Sequence, residues 1–148
     1  MTHLCLHCGA ENCKTLRDEL SLYTLSRGDT NFVHQYVVDA YAAQHATENT
    51  KPITTAFALI GLYLLTERNY TGREVQQAHM MLANRTKDWP IFPAAERKAD
   101  LNVSDVLRAE PGEARDMMIK TWAMAVWDSW KNEHEHVARL VKSFDFLK

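Results

Sequence analysis

The sequence lacks a surplus of charge of either sign. Its 17 basic and 19 acidic side chains leave a formal charge of −2, so no basic stripe is available to hold nucleic acid or an acidic membrane. It also lacks a long apolar run. The longest, residues 56–65, is interrupted by Gly61, whereas a bilayer span needs about 20 apolar residues; this run reads as a buried helix and no membrane partner is expected. No basic n-region precedes an apolar stretch at the N-terminus, so no secretory signal is expected, and the expected compartment is the cytoplasm. Backbone breakers are scarce, with five glycines and four prolines in 148 residues. No repeat, heptad or low-complexity tract occurs. With 46% hydrophobic and 24% charged residues, the chain is too apolar to be disordered. It is long enough to bury a core without disulfide staples, as one domain over residues 1–148.

What is present is helical periodicity. Few positions look like strand, and apolar spacing marks five helices. The first runs from about residue 13 to 26, with Leu16, Leu20 and Leu25 facing inward and Gly28 ending it. The turn Gly28-Asp29-Thr30-Asn31 offers N-cap residues for a second, over about 32–45, with a stripe of Val33, Val37, Val38 and Tyr41. A third, about 53–67, follows Pro52 and is apolar on most sides, which places it near the centre. The fourth opens with Thr71 and Glu74 at capping-box spacing and carries Val75, Ala78 and Leu82. Trp89-Pro90 and Pro93 make residues 88–101 an extended loop, and 104–107 a single short turn. The last pattern, about 113–144, is the longest and reads as the spine. Its Ile119, Trp122, Val126, Trp127, Trp130, His134, Val137 and Val141 share a face of about 140°. The expected fold is all-α: a single-domain bundle of four to five helices, with residues 1–13 a small cysteine-rich knuckle packed on it.

All three cysteines fall in that knuckle. Cys5-Leu6-His7-Cys8-Gly9 places two thiols two residues apart, and Gly9 frees backbone amides to turn toward the sulfurs. Cys13 supplies a third sulfur from the start of the first helix. Such a cluster without an export signal reads as metal-binding or redox-active rather than as a disulfide framework. Of the seven histidines, His3 and His7 are local to the knuckle, His34 and His45 lie on the second helix, and His79, His134 and His136 come later. The first two helices are joined by a short turn and should lie antiparallel. Reflection about Asp29 brings Cys13 to His45 and His34 to Thr24. His34 and His45 stand roughly 16 Å apart along a helix, so one ion cannot take both. The four-ligand set is Cys5, Cys8, Cys13 and His45, and zinc is the ion such donors suit.

Other polar residues read more plainly. His34, Val38, Tyr41 and His45 fall within about 60° on the helical wheel. His34 is read as a core histidine bonded to a backbone carbonyl or a tyrosine; the alternative is a ligand or acid/base group in a pocket shared with His134. Asp39 lies on another side, as a solvated or hydrogen-bonded carboxylate. Trp122, Trp127 and Trp130 are read as core. His134 and His136 point to different sides of a helix, so the zincin pattern is absent. No P-loop, dinucleotide turn or nucleophile elbow occurs.

The Cys5-x-x-Cys8-Gly9-Ala10 head, Cys13, the segment Val33-His34-Gln35-Tyr36-Val37-Val38-Asp39-Ala40-Tyr41-Ala42-Ala43-Gln44-His45, the Trp89-Pro90 loop, the Asn102-Val103-Ser104-Asp105-Val106 turn and the Trp122…Trp127…Trp130 helix form an ordered set. Together they resemble the uncharacterised bacterial proteins of domain-of-unknown-function family 5946, over nearly the whole chain. The family often has Pro where this sequence has Ala46. The resemblance implies one compact domain and brings no reaction. The expectation is a zinc-binding helical domain with a structural ion, acting as a binding or regulatory module for a protein partner or a second copy. The alternatives are a metal-dependent hydrolase or thiol transferase, by analogy with DinB-like bundles, and a redox sensor using a Cys5–Cys8 disulfide.

Overall fold

The computed structural model describes residues 4–85, 88–95, 97–144 and 147. Among them seven α-helices follow in order: α1 (Cys13–Ser26), α2 (His34–Gln44), α3 (Pro52–Glu67), α4 (Gly72–Arg85), α5 (Val103–Arg108), α6 (Glu113–Ser129) and α7 (His134–Lys142). No strand forms among the described residues; Leu4 and Glu11 make one isolated antiparallel bridge. The fold is all-α, and among the described residues the buried apolar residues from Leu20 to Val141 form one cluster, with Cys8 and Ala10 of the knuckle outside it.

Capping chemistry sets several helix starts. Asp29 Oδ2 accepts the Val33 amide at 2.9 Å ahead of α2, and Pro52 occupies the first turn of α3, where its missing N–H costs nothing. Thr71 and Glu74 form the expected capping box of α4, each side chain accepting the other's backbone amide, at 3.1 and 2.9 Å. Residues 104–107 are not a lone turn, because Asn102 and Asp105 make a second capping box that nucleates α5.

α1 and α2 lie antiparallel. Thr24 Oγ1 and His34 Nδ1 are 2.8 Å apart at the closed end of the hairpin, and Cys13 Sγ is 3.6 Å from the Tyr41 hydroxyl toward the open end. α2 then packs against α1, α3, α4 and α6, so it, rather than the C-terminal segment, is the spine. Its buried stripe is Val33, Val37, Ala40 and Gln44, at helical spacing. That stripe turns Val38 outward to 42% exposure, and Leu25 on α1 is 55% exposed; both were expected inside. α3 is central, as its all-round apolarity predicts, with nine residues from Thr55 to Leu65 buried.

Asp39 is not solvated. It is 2% exposed, accepts from Gln35 Nε2 at 3.2 Å, and faces Gly61 of α3 so closely that a Cβ there would stand 1.9 Å from its Oδ2. Glycine at 61 is therefore what admits a carboxyl group between two core helices.

The C-terminal pattern is not one helix. α6 stops at Ser129, Lys131–Glu133 forms a 3-10 turn, and α7 restarts at His134. Two contacts hold the break: Trp130 Nε1 donates to the Ala43 carbonyl at 3.2 Å, and His134 Nε2 donates to the Trp127 carbonyl at 2.8 Å. The Trp127 carbonyl at the end of α6 thus accepts both the Trp130 amide, at 3.0 Å, and His134, where a continuing helix would have given it the amide of residue 131. The bend lets α7 pack on α3. Trp122, Trp127 and Trp130 are core, at 0%, 4% and 0% exposure.

Candidate metal centre

The knuckle is built by its own backbone. The Gly9 amide donates to the Cys5 carbonyl at 2.8 Å and the Cys5 amide to the Ala10 carbonyl at 2.9 Å. Gly9 sits at φ 80°, in the left-handed region that glycine enters freely. The turn aims the His7 amide at Cys5 Sγ, 3.4 Å away, the donor placement a thiolate accepts well. Asn102 Nδ2 donates to the Cys8 carbonyl at 2.9 Å, so the residue that caps α5 also fastens the knuckle to the helices.

Cys5, Cys8, Cys13 and His45 bring one ligand atom each to within 4.8 Å of one another, close enough to hold a metal ion. These are the four residues the sequence singles out, and they come from the turn, the start of α1 and the end of α2. His45 Nδ1 is 2.8 Å from the Tyr41 carbonyl; a carbonyl only accepts, so Nδ1 carries the proton and Nε2 keeps its lone pair. That Nε2 is buried and has no hydrogen-bond partner. A shielded nitrogen lone pair without a donor is the observation that fits a cation. The Tyr41 ring also stacks on the His45 ring at 4.0 Å, and the Arg17 guanidinium lies over Tyr41 at 4.9 Å.

Burial dominates the electrostatics. It pushes the Cys8 thiol up to about 12. At Cys5 burial, the largest single influence, acts in the same direction, yet the backbone amides of Cys8 and His7 and the thiols of Cys8 and Cys13 together leave the thiol below its ordinary value. Burial also lowers His45, against the opposing pull of the Tyr41 carbonyl, which keeps the imidazole in its neutral, ligating form. Desolvation and the neighbouring Cys13 thiol raise the Tyr41 phenol, so it stays a hydroxyl able to donate to Cys13.

Four of the remaining histidines are engaged elsewhere. His34 pairs with Thr24, a hydroxyl rather than the carbonyl or tyrosine expected. His79 donates to the Phe57 carbonyl at 2.9 Å. His134 caps α6, stacked 3.9 Å from Trp127, and bonds the Trp127 carbonyl rather than His34. His136 Nδ1 is 3.2 Å from Glu133 Oε1. His7 is exposed, its ring 6.1 Å from that of His45, and His3 lies outside the described residues.

Two supporting residues escape a motif reading. Tyr41 counts as one more apolar-stripe residue until α1 is docked against it. Asn102 carries a legible signal, since Asn-x-x-Asp is a capping box, but its reach to Cys8 is tertiary.

An all-α protein with three thiols and an imidazole gathered at one end of a helical hairpin is thus defined. Residues 3–131 match the family of unknown function DUF5946, and the chain belongs to that family. No curated protein and no solved structure matches it.

Proposed function

We propose that this chain is a zinc-binding helical domain in which the ion is structural and the domain serves a binding or regulatory role. The observation that carries the reading is the meeting of Cys5, Cys8, Cys13 and His45 within 4.8 Å, with the His45 Nε2 lone pair buried and unpartnered. Three thiolates and a neutral imidazole suit a tetrahedral zinc ion. The ion ties the knuckle to α1 and α2 and contributes directly to folding free energy. With four protein donors a tetrahedral ion keeps no open position. His34 and His134 point to other partners. Both facts favour a structural ion over a metal-dependent enzyme. Thiols kept for a metal fit a reducing compartment such as the cytoplasm.

Metal analysis of the purified full chain tests the reading. About one zinc per chain is expected, with Cys8→Ser losing most of it. Less than about half an equivalent in metal-replete protein contradicts it.

A further inference from the structure

The three cysteines are unequally exposed. Cys8 is buried at 6% exposure, and its carbonyl is held by Asn102. Cys5 and Cys13 are half-buried, and all three thiols are free. The ligand atoms lie within 4.8 Å of one another, whereas a disulfide needs about 2.05 Å, so a closing movement of under about 3 Å joins two of them. The knuckle can supply it: it is a short turn preceding α1, joined to it through Asn12 in a left-handed conformation.

We propose that Cys5 and Cys13 form a peroxide-driven switch on this centre, closing to a disulfide that expels the zinc ion and frees the knuckle from His45 at the end of α2 while tying it to α1. The inference rests on the zinc reading above. One thiolate attacks a peroxide oxygen; an S–O bond forms, the O–O bond breaks, and the departing hydroxide takes a proton to become water. The second thiolate then attacks the sulfenic sulfur; the S–S bond forms, the S–O bond breaks, and hydroxide leaves with a proton as a second water. The two sulfurs each give up one electron and the peroxide gains both. Only Cys8 and His45 remain as donors, too few for a closed zinc site. The accessible pair is thus Cys5 with Cys13, not the Cys5–Cys8 pair that spacing alone favours. A thiol reductant restores both thiolates and the site.

The test uses the zinc-loaded full chain and hydrogen peroxide, with released zinc read by a chromogenic chelator. All three cysteines precede or sit beside Lys14, the first basic cleavage point. Cleavage after Glu11 therefore separates Cys13 from the other two, and alkylation marks the thiol left free. The expected result is zinc release in step with a cross-link between the two fragments, with Cys8 alkylated and dithiothreitol restoring zinc uptake. Cys8→Ser should still form the cross-link, and Cys13→Ser should not. A Cys5–Cys8 bond, oxidation to sulfinic acid without a cross-link, or intact zinc and thiols in excess peroxide each overturn the switch. A chain that loads zinc and keeps it through peroxide refutes the switch alone. A chain that never loads zinc refutes the zinc reading, and the switch with it.

Discussion

Tyr41 meets His45 through its backbone and Cys13 through its side chain. Its carbonyl accepts a hydrogen bond from His45 Nδ1–H at 2.8 Å, and its hydroxyl stands 3.6 Å from Cys13 Sγ. One residue, a turn before the end of α2, thus orients two of the four donors.

Tyr41→Phe separates these roles, because it keeps the carbonyl and the ring stack but removes the hydroxyl. Zinc affinity, measured by competition with a chelator, should fall roughly 10-fold, the low end for loss of a supporting bond around a metal site. An unchanged affinity would mean that the hydroxyl does not act on Cys13.

Asp39 and Gly61 make a second coupled pair. Gly61→Ala places a methyl group 1.9 Å from Asp39 Oδ2 and should destabilise by about 1–3 kcal/mol in chemical denaturation, as overpacking does. Asp39→Ala should make the same Gly61→Ala change less damaging, a coupling that a double-mutant cycle reads. Burial raises the Asp39 pKa well above its ordinary value. The native state therefore prefers the protonated acid. This contribution is full below the unfolded carboxyl value of about 3.9 and is lost as pH rises toward the native one. Asp39→Asn should flatten that decline and raise the midpoint of thermal unfolding at neutral pH. A lowered midpoint would show that the ionised carboxylate is stabilised in place.

His79 works in the opposite direction. Burial against Phe57 lowers it from 6.5 to about 4, despite its bond to the Phe57 carbonyl. Its folded pKa is depressed, so stability is full above about 6.5 and is lost as pH falls toward the native value, by up to about 3 kcal/mol. His79→Gln should remove this acid sensitivity in metal-free protein, followed by denaturation between those pH values. An equal slope in both proteins would show that His79 titrates normally.

The pairing at the centre was legible because it depends on two local facts, a short turn and helical spacing. Reflection about Asp29 sets His34 beside Thr24, and their side chains are 2.8 Å apart; the same operation sets Cys13 beside His45, and both stand in the ligand cluster. The break at Ser129 was not legible. No glycine or proline marks it, and its cause is the distant Ala43 carbonyl that receives Trp130. Of the two readings of Asp39, solvated or hydrogen-bonded, the second holds through Gln35; its burial was not legible, because it depends on the absent side chain of Gly61, 22 positions away in the same sequence. Val38 is apolar at helical spacing yet exposed, because α2 turns its Val37, Ala40 and Gln44 side inward among the four helices it packs on; Leu25 is likewise exposed, on α1.

The central claim is that Cys5, Cys8, Cys13 and His45 share one ion. X-ray absorption at the zinc edge of the purified chain reads that coordination directly. The account predicts three sulfur neighbours at about 2.3 Å and one nitrogen at about 2.0 Å, with the nitrogen replaced in His45→Ala. A shell of oxygen and nitrogen neighbours lacking sulfur, or one unaltered by His45→Ala, would contradict it.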